Sequence, residues 1–114
     1  MAAVLSNLTS ETQLTTTETS FVVTGSSEKA FIGKAVFTNT SSSNVEVTIW
    51  RLATATTGTT GSGGNFMLVK TIPANTDWIC NELSGTVLGN SMKLSGKAAA
   101  GAVINVNVSG TIET

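Results

Sequence analysis

The chain has 114 residues, of which 40% are hydrophobic, 11% charged and 5% aromatic, and its six basic and seven acidic side chains leave a formal net charge of −1. That length fits one domain around one core, and near-neutrality gives a phosphate backbone or an anionic lipid surface no electrostatic footprint, so neither nucleic acid nor membrane is expected as a partner. With no His, no Tyr and one Cys, a His-dependent triad, a Cys/His zinc site and an internal disulfide are excluded; the polarity is instead hydroxyl, from 20 Thr and 13 Ser.

Residues 1–19 lack the basic start and apolar run of a signal peptide, and no stretch reaches the ~18 apolar residues of a membrane span, so a product made in the cytoplasm is expected. The segment is rich in Thr and Ser but carries Leu5, Leu8 and Leu14. It reads as an extended N-terminal arm, and because a free arm would leave three leucines in water, it should dock on its own domain or on a neighbour. Residues 20–114 read as one domain. A first strand is expected at 20–24, and a second at 29–38 with Phe31, Gly33, Ala35 and Phe37 on one side and Ile32, Lys34 and Val36 on the other. The turn formers at 39–43 join it to a strand at 44–52, which predicts a hairpin. In that third strand Val45, Val47 and Ile49 alternate with Glu46, Thr48, Trp50 and Leu52, so both faces become apolar near its end and one of them suits a partner.

The Gly/Thr-rich stretch 53–65 has no anchor larger than Ala and reads as a flexible loop. Further strands are expected at 66–72, 77–81, 86–88 and 91–94, with one short helical turn near 81–83 at most. The C-terminal run 102–113 has the clearest period of two, Ile104, Val106 and Val108 against Asn105, Asn107 and Ser109. Seven or eight short strands dominated by Thr, Val and Ile indicate an all-β chain, an antiparallel β-sandwich or jelly-roll-like barrel.

Candidate chemistry is sparse. The glycines of 58–64 are not followed by Gly-Lys-Ser/Thr and do not open a helix, so they form no phosphate loop. Cys80, beside Trp78 and Ile79, reads as a small buried hydrophobe, since a nucleophilic thiol would need the absent His. Asp77, Glu82, Glu46 and Glu28 have no spacing that marks an acid/base pair, and Asp77 is the only Asp, so no catalytic residue, cofactor or metal is expected. The Asn-X-Ser/Thr triplets at Asn7, Asn39 and Asn107 are expected by chance in such a composition. Trp50 and Trp78 read as core or subunit interface, with stacking on a sugar ring as the competing role.

The order Met67-Leu68-Val69-Lys70-Thr71-Ile72-Pro73-Ala74-Asn75-Thr76, then Leu88-Gly89-Asn90-Ser91-Met92, then Val108-Ser109-Gly110-Thr111-Ile112-Glu113, with Ala35-Val36-Phe37-Thr38-Asn39-Thr40 before them, resembles small β-sandwich virion proteins of tailed bacteriophages. Asn90 stands where an acidic residue is common after the glycine in that group. The resemblance implies a non-enzymatic structural protein of the particle, foremost a capsid decoration (cement) protein and otherwise a neck or tail component. It also implies a virion location, the major capsid protein or other virion proteins as partners, and self-association with a trimer among the options. Leu5, Leu8 and Leu14, with Trp50 and Trp78, are then the candidate assembly contacts. A carbohydrate-binding module using the two indoles is the reading from another class.

Overall fold

Segments that alternate Val, Ile, Thr and Phe become strands because branched and aromatic side chains pack well on a half-buried pleated surface. The computed structural model describes residues 3–8, 12–54 and 66–114. They form ten strands: β1 (Ala3–Asn7), β2 (Thr12–Leu14), β3 (Thr19–Val23), β4 (Lys29–Asn39), β5 (Val45–Ala53), β6 (Phe66–Ile72), β7 (Asp77–Ile79), β8 (Val87–Leu88), β9 (Met92–Ala98) and β10 (Ile104–Glu113). All pairings are antiparallel. One sheet (sheet A) runs β1-β10-β4-β7, with β2 also on β10 and β8 also on β4; the other (sheet B) runs β3-β9-β5-β6.

Two edge positions of sheet A are therefore each filled by a broken strand, β1 with β2 and β7 with β8. Counted that way there are eight positions, paired in nested fashion: first with last (β1/β2 on β10), second with seventh (β3 on β9), third with sixth (β4 on β7/β8) and fourth with fifth (β5 on β6). This rolled-up long hairpin is the jelly-roll form of the β-sandwich.

Between the sheets lies one core, with Ile32, Phe37, Ile104 and Val108 from sheet A against Val22, Val47, Ile49, Ile72 and Leu94 from sheet B. Its aromatic centre spans the sandwich: the Phe21 ring meets Phe37 edge-on at 5.8 Å and 86°, and Phe37 stacks on Trp78 at 5.2 Å.

Two expectations are corrected. The stretch 39–43 does not close a hairpin but carries the chain from sheet A to sheet B. The corner is held by Asn39, fully buried, whose Nδ2 donates to the carbonyls of Ser43 (2.8 Å) and Ile72 (3.0 Å) while its Oδ1 accepts from the Ser41 backbone NH (2.9 Å) and hydroxyl (2.8 Å). In β4, Ile32, Ala35 and Phe37 are buried and Phe31 is exposed, so Phe31 does not share the side of Ala35 and Phe37. The cause is a bulge: Ser109 pairs with Lys34 and Gly110 with Ile32, leaving Gly33 as the extra residue and shifting the alternation by one. Gly110 is required there, since a Cβ on it would overlap the Phe31 carbonyl oxygen. Where at most one short helical turn was expected near 81–83, residues 81–85 form successive tight turns, with Leu83 NH on Cys80 O (3.2 Å) and Ser84 NH on Asn81 O (3.1 Å).

Of the two places expected for the arm, its own domain or a neighbour, the structure shows the first: β1 and β2 form an edge of the domain, lying along β10 from Glu113 to Ile104. β9 also runs past its expected end at 94, because Gly96 lets it pass close to β5: a Cβ there would sit 2.9 Å from both Ile49 Cδ1 and Thr48 O. Of the expected loop 53–65, Ala53 ends β5 and residues 55–65 lie outside the described residues.

Candidate functional site

The five predicted contact residues do not converge. Leu14 is fully buried, and its Cδ1 reaches across the sandwich to the backbone of Gly96 on β9. Leu8 is half-buried and packs on the core, while the side chain of Leu5 lies outside the described residues. Trp78 turns inward onto Phe37. Trp50 is on the side of β5 away from Val47 and Ile49 and is still only 3% exposed; Lys97 Nζ stands 6.0 Å from its ring centre, and among the described residues its Nε1 has no hydrogen-bond partner. Trp50 is too buried to stack on a sugar ring, and one face of Trp78 is taken by Phe37.

The outer surface of sheet A is where the fold leaves apolar groups in water. Phe31 (48% exposed), Ile79 (49%) and Val87 (54%) all stand on it. They fall in two spots because Phe31 pairs with Val87 and Val36 with Ile79. The bulge at Gly33 puts Phe31 and Val36, an odd number of residues apart, on one face. A shallow depression of about 170 Å³ opens beside the first spot, between Phe31, Val87, Thr111, Lys29 and Glu113 over the floor of Ala30. Strict alternation could not find this face, since it assigns Phe31 to the core; the one clue was a glycine in mid-strand.

On sheet B the large exposed hydrophobics among the described residues, Val23 and Val69, belong to opposite edges, β3 and β6, with β9 and β5 between them. The middle of that outer surface carries Trp50 and Leu52, both buried, beside polar groups of β9. Ser95, fully buried, donates to Glu18 Oε2 at 2.6 Å, and Lys93 Nζ lies 3.4 Å from the same oxygen. This cluster ties the crossing from β2 to β3 down onto β9. A groove of about 260 Å³ beside it is lined by Thr16, Glu46, Thr48, Lys97, Ala98 and Ala99.

Cys80 is fully buried between β7 and the turn. Burial pushes its thiol up from the ordinary value, and the Glu82 carboxylate adds to the rise, against partial relief from the backbone NH groups of Leu83 and Glu82. A thiol held protonated is a poor nucleophile. Among the described residues, no group of three His, Cys, Asp or Glu could hold a metal ion, and no helix is long and apolar enough to cross a membrane. What the described residues offer is a sheet surface carrying both charges and half-exposed apolar groups, the kind of surface that protein contacts use. No known family model, curated protein or solved structure matches the chain.

Proposed function

We propose that the chain is a non-enzymatic structural protein of a bacteriophage particle, decorating or cementing the capsid. The observation that carries the structural role is the outer surface of sheet A, which holds Phe31, Ile79 and Val87 half-exposed on a rigid sandwich. Apolar groups grouped on one face of a small domain mark a protein contact. The composition supports the same reading, because hydroxyl-rich, nearly neutral surfaces tolerate dense neighbours without self-repulsion. The assignment to a phage particle draws on the resemblance of residues 67–76, 88–92 and 108–113 to small virion proteins. Cementing works by repetition: each copy buries a small area, and many copies acting together raise the barrier to opening the shell.

The test is quantitative mass spectrometry of density-purified particles from the source culture, counting copies of the chain against the major shell protein. A simple ratio to the shell protein supports decoration. A few copies up to about a dozen would move the protein to the neck or tail, and complete absence would sink the virion reading.

A further inference from the structure

We infer that Lys70 keeps the β6 edge of sheet B from pairing with the β6 edge of a second copy of this chain. The argument starts from the sheet edges, where outward main-chain groups lack a neighbouring strand and form a template for pairing with another chain. Three of the four edge positions are irregular. β1 and β2 divide one edge of sheet A into runs of five and three residues, and β7 and β8 divide the other into three and two. β3 has five residues and is bulged, since Ser20 pairs with Ser95 and Val22 with Leu94, leaving Phe21 as the extra residue. Short and bulged strands make poor templates. β6 has no such interruption: its seven residues pair with β5 in one unbroken register, from Val45 with Ile72 to Arg51 with Phe66. Among the described residues, no main-chain bond reaches 66–71 from any other element, and Val69, Lys70 and Thr71 are exposed.

The sequence of this strand makes it the edge most in need of protection. Phe66-Met67-Leu68-Val69-Lys70-Thr71-Ile72 contains no Gly or Pro, and apart from Lys70 every residue is apolar or β-branched. A run of that kind without a charge pairs readily with copies of itself. Lys70 is also on the side where a charge is least expected. Directly paired residues of antiparallel strands point to the same side of the sheet, and Lys70 pairs with Val47, which is fully buried. Leu68 and Ile72, its neighbours in the same row, pack on the core. Lys70 therefore occupies the core-facing row of an edge strand and is nonetheless exposed, its long stem letting the ammonium stay in water at the rim.

A second β6 laid along this edge would remove that water. Two antiparallel copies are related by a two-fold axis normal to sheet B, which keeps both cores on one side and pairs core-facing residues only with core-facing residues. With the axis through Val69, Lys70 stands opposite Leu68 of the second copy. With the axis through Lys70, the two ammonium groups meet, and with it through Leu68, Lys70 falls opposite position 66. These are the registers that overlap five residues or more of β6. Each places two ammonium groups in an apolar row, and β6 has no carboxylate to pair with them. The inference rests on this edge alone and not on the virion reading.

Sedimentation over a concentration series, with hydrogen exchange of the β6 amides, tests it on the full chain. In the unmodified chain, the alternate β6 amides that point away from β5 are expected to exchange fast at every concentration. Lys70→Val is expected to self-associate at least about tenfold more tightly, towards twice the 11.7 kDa of one chain, with those amides slowed as it does so. Lys70→Glu, which keeps a charge in the row, and Lys97→Val, on β9 between two strands, are expected to behave as the unmodified chain. An unchanged thermal transition confirms that each variant is folded, and Lys70→Ala is read in place of any Lys70→Val protein that precipitates. Failure of the uncharged Lys70 variants to associate, association that leaves the β6 amides fast, equal association of Lys70→Glu or Lys97→Val, or slow exchange of these amides in the unmodified chain would each overturn the inference.

Discussion

Truncating Leu14 tests whether the N-terminal arm belongs to the domain or is kept for a neighbour. Leu14 ends β2, pairs with Ile104 on sheet A, and is fully buried with its Cδ1 against Gly96 of sheet B. Two main-chain bonds hold it there, Ala102 NH to Leu14 O (3.3 Å) and Ala98 NH to Thr15 O (2.9 Å). Leu14→Ala removes a fully buried side chain worth about 1.5–3 kcal/mol of transfer free energy, and it leaves a cavity between two sheets that are tied by hydrogen bonds and cannot close on it. The expected loss is about 3–4 kcal/mol, within the range of buried Leu-to-Ala changes. In urea, with a slope of about 2 kcal/mol/M for a domain of this size, the midpoint should fall by roughly 1.5–2 M at unchanged slope. Leu8→Ala is the control: Leu8 is half-buried, so it should cost about 1 kcal/mol or less. A loss below about 1 kcal/mol for Leu14→Ala would refute the reasoning, because it would mean that the arm leaves the core in solution.

The two glycine environments make opposite predictions. Gly110→Ala should cost about 3 kcal/mol or prevent folding, since its Cβ would overlap a backbone carbonyl at the bulge; Gly85→Ala, at φ 84° with nothing within 4 Å, should cost only about 1–2 kcal/mol of backbone strain. Thermal denaturation of the two proteins separates these cases, and equal losses would refute the bulge account. Asn39→Asp should unfold at lower denaturant at pH 7 than at pH 4, because a carboxylate facing the carbonyls of Ser43 and Ile72 is held protonated in the fold; its raised folded-state pKa gives stability that is lost as pH rises above the unfolded value. A pH-independent deficit in the variant would show that the side chain had rotated out of the corner. Cys80 should resist alkylation at pH 8 until denaturant unfolds the chain, given its burial and raised pKa; stoichiometric labelling within seconds under native conditions would contradict it.

The period-two pattern of 44–52, 66–72 and 102–113 made those strands legible in the sequence, and with them the all-β class. Two features stayed hidden for identifiable reasons. At 39–43 a run of Ser and Asn signals a change of direction but not whether the chain returns in the same sheet; that depends on the Asn39 side chain reaching Ile72 O, 33 residues away. At Gly33 the pattern is broken by one residue, and the only sign of it is a glycine on each of two strands, Gly33 and Gly110, which meet only once β4 and β10 are paired. The candidate site was illegible for the same reason, since its face exists only after the bulge.

The arm and the outer faces also divide the work of the molecule differently from what the leucine spacing implies. Leu14 joins the sheets from within, and Glu18 fastens the next segment to Ser95 and Lys93 on sheet B. The N-terminal segment therefore closes the sandwich at the edge where first and last strands meet, and the more it is used for that, the less it can offer a neighbour. On the outer surface of sheet B, Trp50, Leu52 and Ser95 are buried. Among the described residues, Phe31, Ile79 and Val87 on the outer surface of sheet A stay about half exposed. Leaving three large hydrophobic groups half in water costs the isolated domain about 25 cal/mol for each Å² that could be buried, and the charges placed in rows beside them do nothing to hide them. Contact with another protein surface would recover that free energy, and the arm's contribution is to complete the edge of the sheet on which this face is built.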